Sequence, residues 1–180
     1  MNARMLTSLR IIALALLVAC ATTPAKPTFA PTPYTAEQIR QATAVGRTYE
    51  WRREIVGQPA TTRVITFTKV TDADAEMSSI DLDAEGKELA PAKVSTSTWE
   101  ELRQHALFPS DAVQISEETV TVPAGTFDCL KYTVTKGDAE GMTFLFAKSL
   151  PGAPVQFYKV ANGTPVMTST LVRHVAGKAP

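Results

Sequence analysis

The chain has 180 residues, with 18 basic and 18 acidic side chains and an apolar content of 44%. That length bounds it to one domain or at most two. A neutral balance argues against nucleic acid as the main partner, because phosphate binding needs a basic surplus. The densest charge cluster, Arg52-Arg53 between Glu50 and Glu54, reads as a solvated strand face.

Arg4 and Arg10 flank a positively charged start, and Ile11-Ile-Ala-Leu-Ala-Leu-Leu-Val-Ala19 is a continuous apolar run. Such a run is too short to span a bilayer and reads as the core of a signal peptide. It ends at Leu17-Val-Ala-Cys20, which resembles the lipobox of bacterial lipoproteins. The resemblance implies cleavage of residues 1–19 and acylation of Cys20, by palmitate or a similar chain, as the first residue of the mature protein. Several acyl chains would anchor it strongly, at about 0.8 kcal/mol per buried methylene. Alanine rather than aspartate follows Cys20, which by the same resemblance implies the outer membrane. The alternative is an ordinary secretory signal, with Cys20 a free thiol or paired to Cys129 in an oxidising compartment.

Residues 20–34 carry four prolines among small polar residues and read as an extended tether. A single β-rich domain is expected over 35–180. Thr35-Ala-Glu-Gln38 has the form of a capping box and opens a short helix over 36–44, with Ile39 and Val45 turned inward. From Tyr49 the period changes to two: Tyr49, Trp51 and Ile55 alternate with charged residues, the mark of a half-buried strand. Thr61–Thr71 is its partner, and Met77–Asp83 and Glu88–Ser95 are weaker strands around a turn at Asp83–Gly86.

Thr98-Trp-Glu-Glu101 is a second capping box, opening a helix over 99–106. Trp99, Leu102 and Ala106 share one face, which lies against the sheet unless Trp99 is exposed for a partner. Strands follow at 112–122, 126–135, 142–148, 155–161 and 165–174. Pro123-Ala-Gly125 and Asn162-Gly163 are hairpin signals, and Leu150-Pro-Gly-Ala-Pro154 is an irregular crossing.

About nine short strands and two short helices define a mainly β (α+β) protein with an antiparallel sheet. Twist accumulates over nine strands, so the sheet curves strongly into a half-barrel or open barrel, or splits into a sandwich. Helix 99–106 is placed to plug the concave side.

The run Glu118–Tyr132, with its VPAGTFxC hairpin, then Phe144-Leu-Phe-Ala147 and Leu150–Val155, resembles a pattern recurring in bacterial envelope lipoproteins. Those are similar to the lipoprotein-carrier-like (LolA/LppX-type) half-barrels, which wrap a curved sheet around a hydrophobic space. The resemblance covers residues 110–175 and implies fold more than activity. Where many relatives carry tryptophan near 144–146, this chain has phenylalanine.

Catalytic signatures fail one by one. His105 and His174 are the whole imidazole supply, read as surface or capping residues, and no HExxH, GxSxG, SxxK or metal-ligand spacing occurs. Asp72/Asp74 and Asp81/Asp83 read as solvated acids rather than a cation site. Cys129 reads as a small buried hydrophobe, with a reactive thiol beside Lys131 as the alternative. What remains is a set of apolar side chains, Trp51, Phe67, Phe127, Leu130, Tyr132, Phe144 and Phe146. These form either plain core or the lining of a ligand cavity on a concave sheet.

The expectation is a lipid-anchored, non-catalytic envelope protein facing the periplasm. It needs neither cofactor nor metal and binds a lipid or other apolar ligand in its curved sheet. The alternative is a structural or accessory subunit that binds an envelope partner through a sheet edge or an apolar patch.

Overall fold

The structure, a computed structural model, describes residues 28–178; the candidate leader 1–19, Cys20 and the first part of the tether lie outside the described residues. Two capping boxes start the two helices. Thr35 receives the Gln38 amide and opens α1, Ala36–Gln41, while Thr98 receives the Glu101 amide and opens α2, Trp99–Gln104. In each box the third helical residue bonds back to the cap amide, so two orphan donors are satisfied at each start.

Nine strands make one antiparallel sheet. They are β1 Thr48–Ile55, β2 Thr61–Val70, β3 Asp74–Leu82, β4 Lys93–Thr98, β5 Val113–Val122, β6 Gly125–Val134, β7 Met142–Ala147, β8 Gln156–Ala161 and β9 Thr164–Val175. The spatial order is β4-β3-β2-β1-β9-β8-β7-β6-β5, so two meanders are joined where β1 pairs with β9. The sheet is open and curved. Register shifts at Glu50/Trp51, Phe67/Lys69 and Lys159/Val160 supply local bends, since a bulge increases twist and tilts the strand.

Local turn chemistry behaves as its residues dictate. Asn162 and Gly163 take φ of 51° and 76°, the two positive values a type I′ hairpin needs, and Ala161 faces Thr164 across it. Pro123 and Ala124 join β5 to β6, with Val122 opposite Gly125.

β4 and β5 are the two edges of the sheet, yet they are consecutive in the chain. The connection between them must therefore run from one edge to the other, and it carries α2. Trp99 is buried and its indole N–H donates to the Thr71 carbonyl at 3.1 Å. Together α1 and α2 close the concave side over a core that includes Ile39, Trp51, Phe67, Trp99, Tyr132, Phe146 and Leu171.

Four expectations need correction. Val45 lies beyond the end of α1 and is exposed, because the helix stops at Gln41 and the turn before Gly46 carries Val45 outward. Helix 99–106 ends at Gln104. The strand expected over 88–95 begins only at Lys93, since Pro91 has no N–H for a ladder. His174 is no surface residue: it is half-buried against Tyr49, with ring centroids 5.0 Å apart.

Candidate functional site

Alternation in each strand sends one set of side chains to the concave face, and cross-strand register gathers them. Phe144 faces Tyr132 on one side and Phe157 on the other, while Phe146 faces Leu130. Trp51 faces Leu171 across the β1–β9 junction and Arg63 on β2, and Tyr49 faces Ile65 on β2. Between this surface and the helices lies a cleft of about 470 Å³. Its floor includes Trp51, Ile65, Phe67, Met77, Phe144, Phe146 and Phe157, and Ile39, Leu102, His105 and Ala106 form part of its roof. The volume falls in the range of small-molecule sites, roughly 300–1,000 Å³.

The segment 150–154 crosses beside the cleft, and its Gly152, Ala153 and Pro154 form part of the lining. Three contacts hold it over the sheet: Arg47 Nη2 donates to the Pro151 carbonyl at 2.8 Å, Trp51 Nε1 donates to the Pro154 carbonyl at 3.0 Å, and Gly152 lies against Tyr49. Gly152 has a φ of 137°, and a Cβ there would come 2.6 Å from the Tyr49 hydroxyl oxygen. Only glycine fits without displacing it.

Arg47 sits in phase with Tyr49 and Trp51, so strand alternation turns it inward. It is 1% exposed. Nε donates to His174 Nε2 at 3.3 Å and Nη1 to Thr43 Oγ1 at 3.0 Å, and the guanidinium carbon lies 4.9 Å from the centre of the Tyr49 ring. Burial lowers the Arg47 pKa from its ordinary value. The Tyr49 ring stacks on Trp51 at 5.1 Å, and burial pushes its hydroxyl up to about 12. Arg63 and Arg53 lie on the same face but are neutralised, since Asp81 accepts two bonds from Arg63 at 2.8 and 2.6 Å and lies 4.0 Å from Arg53. The Arg63 hydrogen bonds hold the Asp81 carboxyl below the usual carboxylate range.

Of the apolar residues singled out from the sequence, Trp51, Phe67, Phe144 and Phe146 line the cleft. Leu130, Tyr132 and Phe127 do not. Tyr132 is buried with its hydroxyl on the Pro31 carbonyl at 2.8 Å, and Leu130 and Phe127 pack partly buried against the core. Phe127 alternates with Tyr132 and so points to the opposite face of β6. Core and cavity are thus both present, in adjoining parts of one surface. Sequence reading passed over Arg47, Tyr49, Ile65, Met77 and Phe157. The parity of Arg47-x-Tyr49-x-Trp51 and Arg63-x-Ile65-x-Phe67 was the available signal.

The remaining polar candidates are occupied with structure. Cys129 is buried, and its thiol is pushed up to about 11 by burial and then by Asp128 and Glu118, while Lys131 pairs with Glu118 at 2.7 Å. Asp72 pairs with Arg40 at 2.8 Å, Asp74 accepts from the Thr71 hydroxyl, and Asp83 accepts two amides in its own turn. Among the described residues no group of three His, Cys, Asp or Glu side chains is arranged to hold a metal ion.

No family model and no curated protein matches the sequence. Solved structures do share the fold. A crystal structure of MucB superposes with a TM-score of 0.55 at 15% identity, covering 80% of this chain and 58% of that one. The Pseudomonas aeruginosa MucA/MucB complex gives 0.55 at 14% identity, covering 81% and 55%. MucB in complex with MucA(peri) gives 0.54 at 16% identity, covering 81% and 54%. The chain thus spans a little over half the length of the MucB chains it resembles.

Proposed function

We propose that this chain is a non-catalytic accessory protein of the bacterial envelope that binds a protein partner through its open sheet. The observation that carries this reading is the fold held in common with MucB, a protein solved in complex with MucA. The two edge strands β4 and β5, each paired on one side only among the described residues, support it, because such an edge offers a row of backbone donors and acceptors to an extended partner. Both edges also expose apolar side chains, Val94 on β4 at 64% and Ile115 on β5 at 41%. The basic start, the apolar run and Cys20 support export and a lipid anchor, with the domain facing the periplasm and the outer membrane as its site.

Photo-crosslinking residues placed at Val94 and at Ile115 in living cells test the partner reading. One discrete adduct with a single stoichiometric protein is expected from one edge. No adduct from either edge, with a stoichiometric lipid in the purified protein, would overturn it.

The cleft favours a second reading, in which the same domain binds a lipid or another apolar ligand. A chain seated there would gain about 25 cal/mol for each Å² of apolar surface removed from water. Solvent extraction followed by mass spectrometry is expected to release a lipid, and added fatty acid to raise the melting temperature. If neither occurs, this second reading is wrong.

A further inference from the structure

We propose that the corner of the cleft beside Gly152 is an anion subsite, in which the Arg47 guanidinium and the Tyr49 hydroxyl receive the carboxylate of a single-chain amphiphile whose apolar chain lies along the aromatic floor. This rests on the second reading above and specifies its ligand class.

The argument begins with charge. Arg47, Arg53 and Arg63 all turn toward the concave face, and the last two share Asp81. Arg47 is the most buried of the three and has no carboxylate partner among the described residues; its acceptors are an imidazole, a hydroxyl and a backbone carbonyl, all neutral. A buried cation without a counter-ion is costly to hold, and a well-placed anion offsets that cost. A guanidinium has five N–H donors. Three are used, which leaves one on each terminal nitrogen.

The second observation is independent of Arg47's charge. The Tyr49 hydroxyl is buried and has no hydrogen-bond partner among the described residues; the Ala153 amide acts on it without reaching hydrogen-bonding geometry. Buried hydroxyls are ordinarily paired, so an orphan beside a cleft marks a place where a bound group completes the network.

The third observation joins the first two. A Cβ built on Gly152 would lie 2.6 Å from the Tyr49 oxygen and 3.6 and 3.7 Å from Arg47 Nη1 and Nη2. Both sets of donors therefore converge at Gly152, where the approach is too close for any side chain, and Arg47, Tyr49 and Gly152 all line the cleft. Away from this corner Trp51, stacked directly on Tyr49, leads to an aromatic and aliphatic wall of Phe67, Phe144, Phe146 and Phe157, while Arg63, Ser79, Ser95 and Ser97 border the cleft on its β2–β4 side. A cationic corner next to an apolar wall fits an acyl carboxylate. A neutral chain would leave the guanidinium uncompensated, and a small inorganic anion would leave the floor empty.

The full chain is titrated with laurate and with dodecanol, which share a chain length and differ in charge, while tryptophan fluorescence and calorimetry report binding. Laurate is expected to bind roughly tenfold or more tightly than dodecanol, since charge-assisted hydrogen bonds are the strong ones. Arg47→Gln should abolish that preference while leaving dodecanol affinity in place, and Tyr49→Phe should reduce it several-fold. Equal affinity for the two ligands, or a preference that survives Arg47→Gln, overturns the subsite but not the apolar-ligand reading. Failure of both ligands to bind overturns both. Should Arg47→Gln not fold, Tyr49→Phe decides, because it keeps the ring: an unchanged laurate-to-dodecanol ratio in that variant refutes the subsite.

Discussion

Nε of Arg47 donates to Nε2 of His174 across 3.3 Å, tying the residue that leads into β1 to the end of β9. The bond needs a lone pair on Nε2, so His174 is neutral and carries its proton on Nδ1. Burial first, and the Arg47 charge second, hold the imidazole below its ordinary value of 6.5. The unfolded chain then binds the proton more readily than the folded one, and stability follows from that sign. The contribution is fully present above pH 6.5 and is lost as pH falls through the lower folded value. Urea unfolding midpoints are expected to drop between about pH 8 and about pH 5. His174→Gln should flatten that drop, and an identical pH slope in both proteins would refute the linkage.

Packing should separate Leu171 from Val94. Leu171 is wholly buried on β9 beside Trp51 on β1, whereas Val94 stands exposed on the β4 edge. Leu171→Ala is expected to cost about 2–5 kcal/mol, the sum of lost transfer energy and an unfilled cavity. Val94→Ala should change stability by no more than about 0.5 kcal/mol. Equilibrium denaturation of the two variants measures both, and comparable losses would mean that the buried junction is not where the core is tightest.

The roof of the cleft depends on a cap. Thr98 holds the Glu101 amide at 3.2 Å, while Glu101 holds the Thr98 amide at 2.8 Å. Thr98→Ala breaks the first bond and should cost about 1 kcal/mol. Hydrogen exchange is expected to quicken in residues 99–106 before it does in β1 or β9. Uniform quickening would show that α2 opens only with the whole sheet.

The proposed anchor at Cys20 should be separable from folding. Cys20→Ser is expected to release the protein from the membrane fraction and abolish incorporation of labelled fatty acid. The melting temperature of the domain should stay unchanged, since Cys20 precedes the proline-rich stretch. Retention of the serine variant in membranes would count against acylation at this position.

Cys129 provides a probe of the core. Its thiol is buried and pushed up to about 11. Thiolate is the reactive form, so a disulfide reagent at neutral pH should modify it only as fast as the domain unfolds. Rapid modification of the folded protein would revive the reactive-thiol alternative.

Features whose partners lie within a few residues were legible in the chain itself. The two capping boxes, the Asn162-Gly163 hairpin and the turn at Pro123-Ala124 each depend on bonds spanning at most a few positions, and each forms where its residues stand. Alternation likewise showed which side chains of a strand share a face. It carried no information about which strand lies alongside.

Tertiary structure alone decided that β1 pairs with β9, that α2 crosses from edge to edge, and that segment 150–154 lies over Arg47. Arg47 and His174 are 127 residues apart, and no local pattern brings them together. Period-two alternation is degenerate among neighbours, because any strand with an apolar face satisfies any other. Only the joint packing of all nine separates the residues that fill the core, such as Tyr132, from those that border open space, such as Phe144. Arg47 shares its phase with Tyr49 and Trp51 along the chain, but its burial and its neutral partners exist only once the sheet has curved around it.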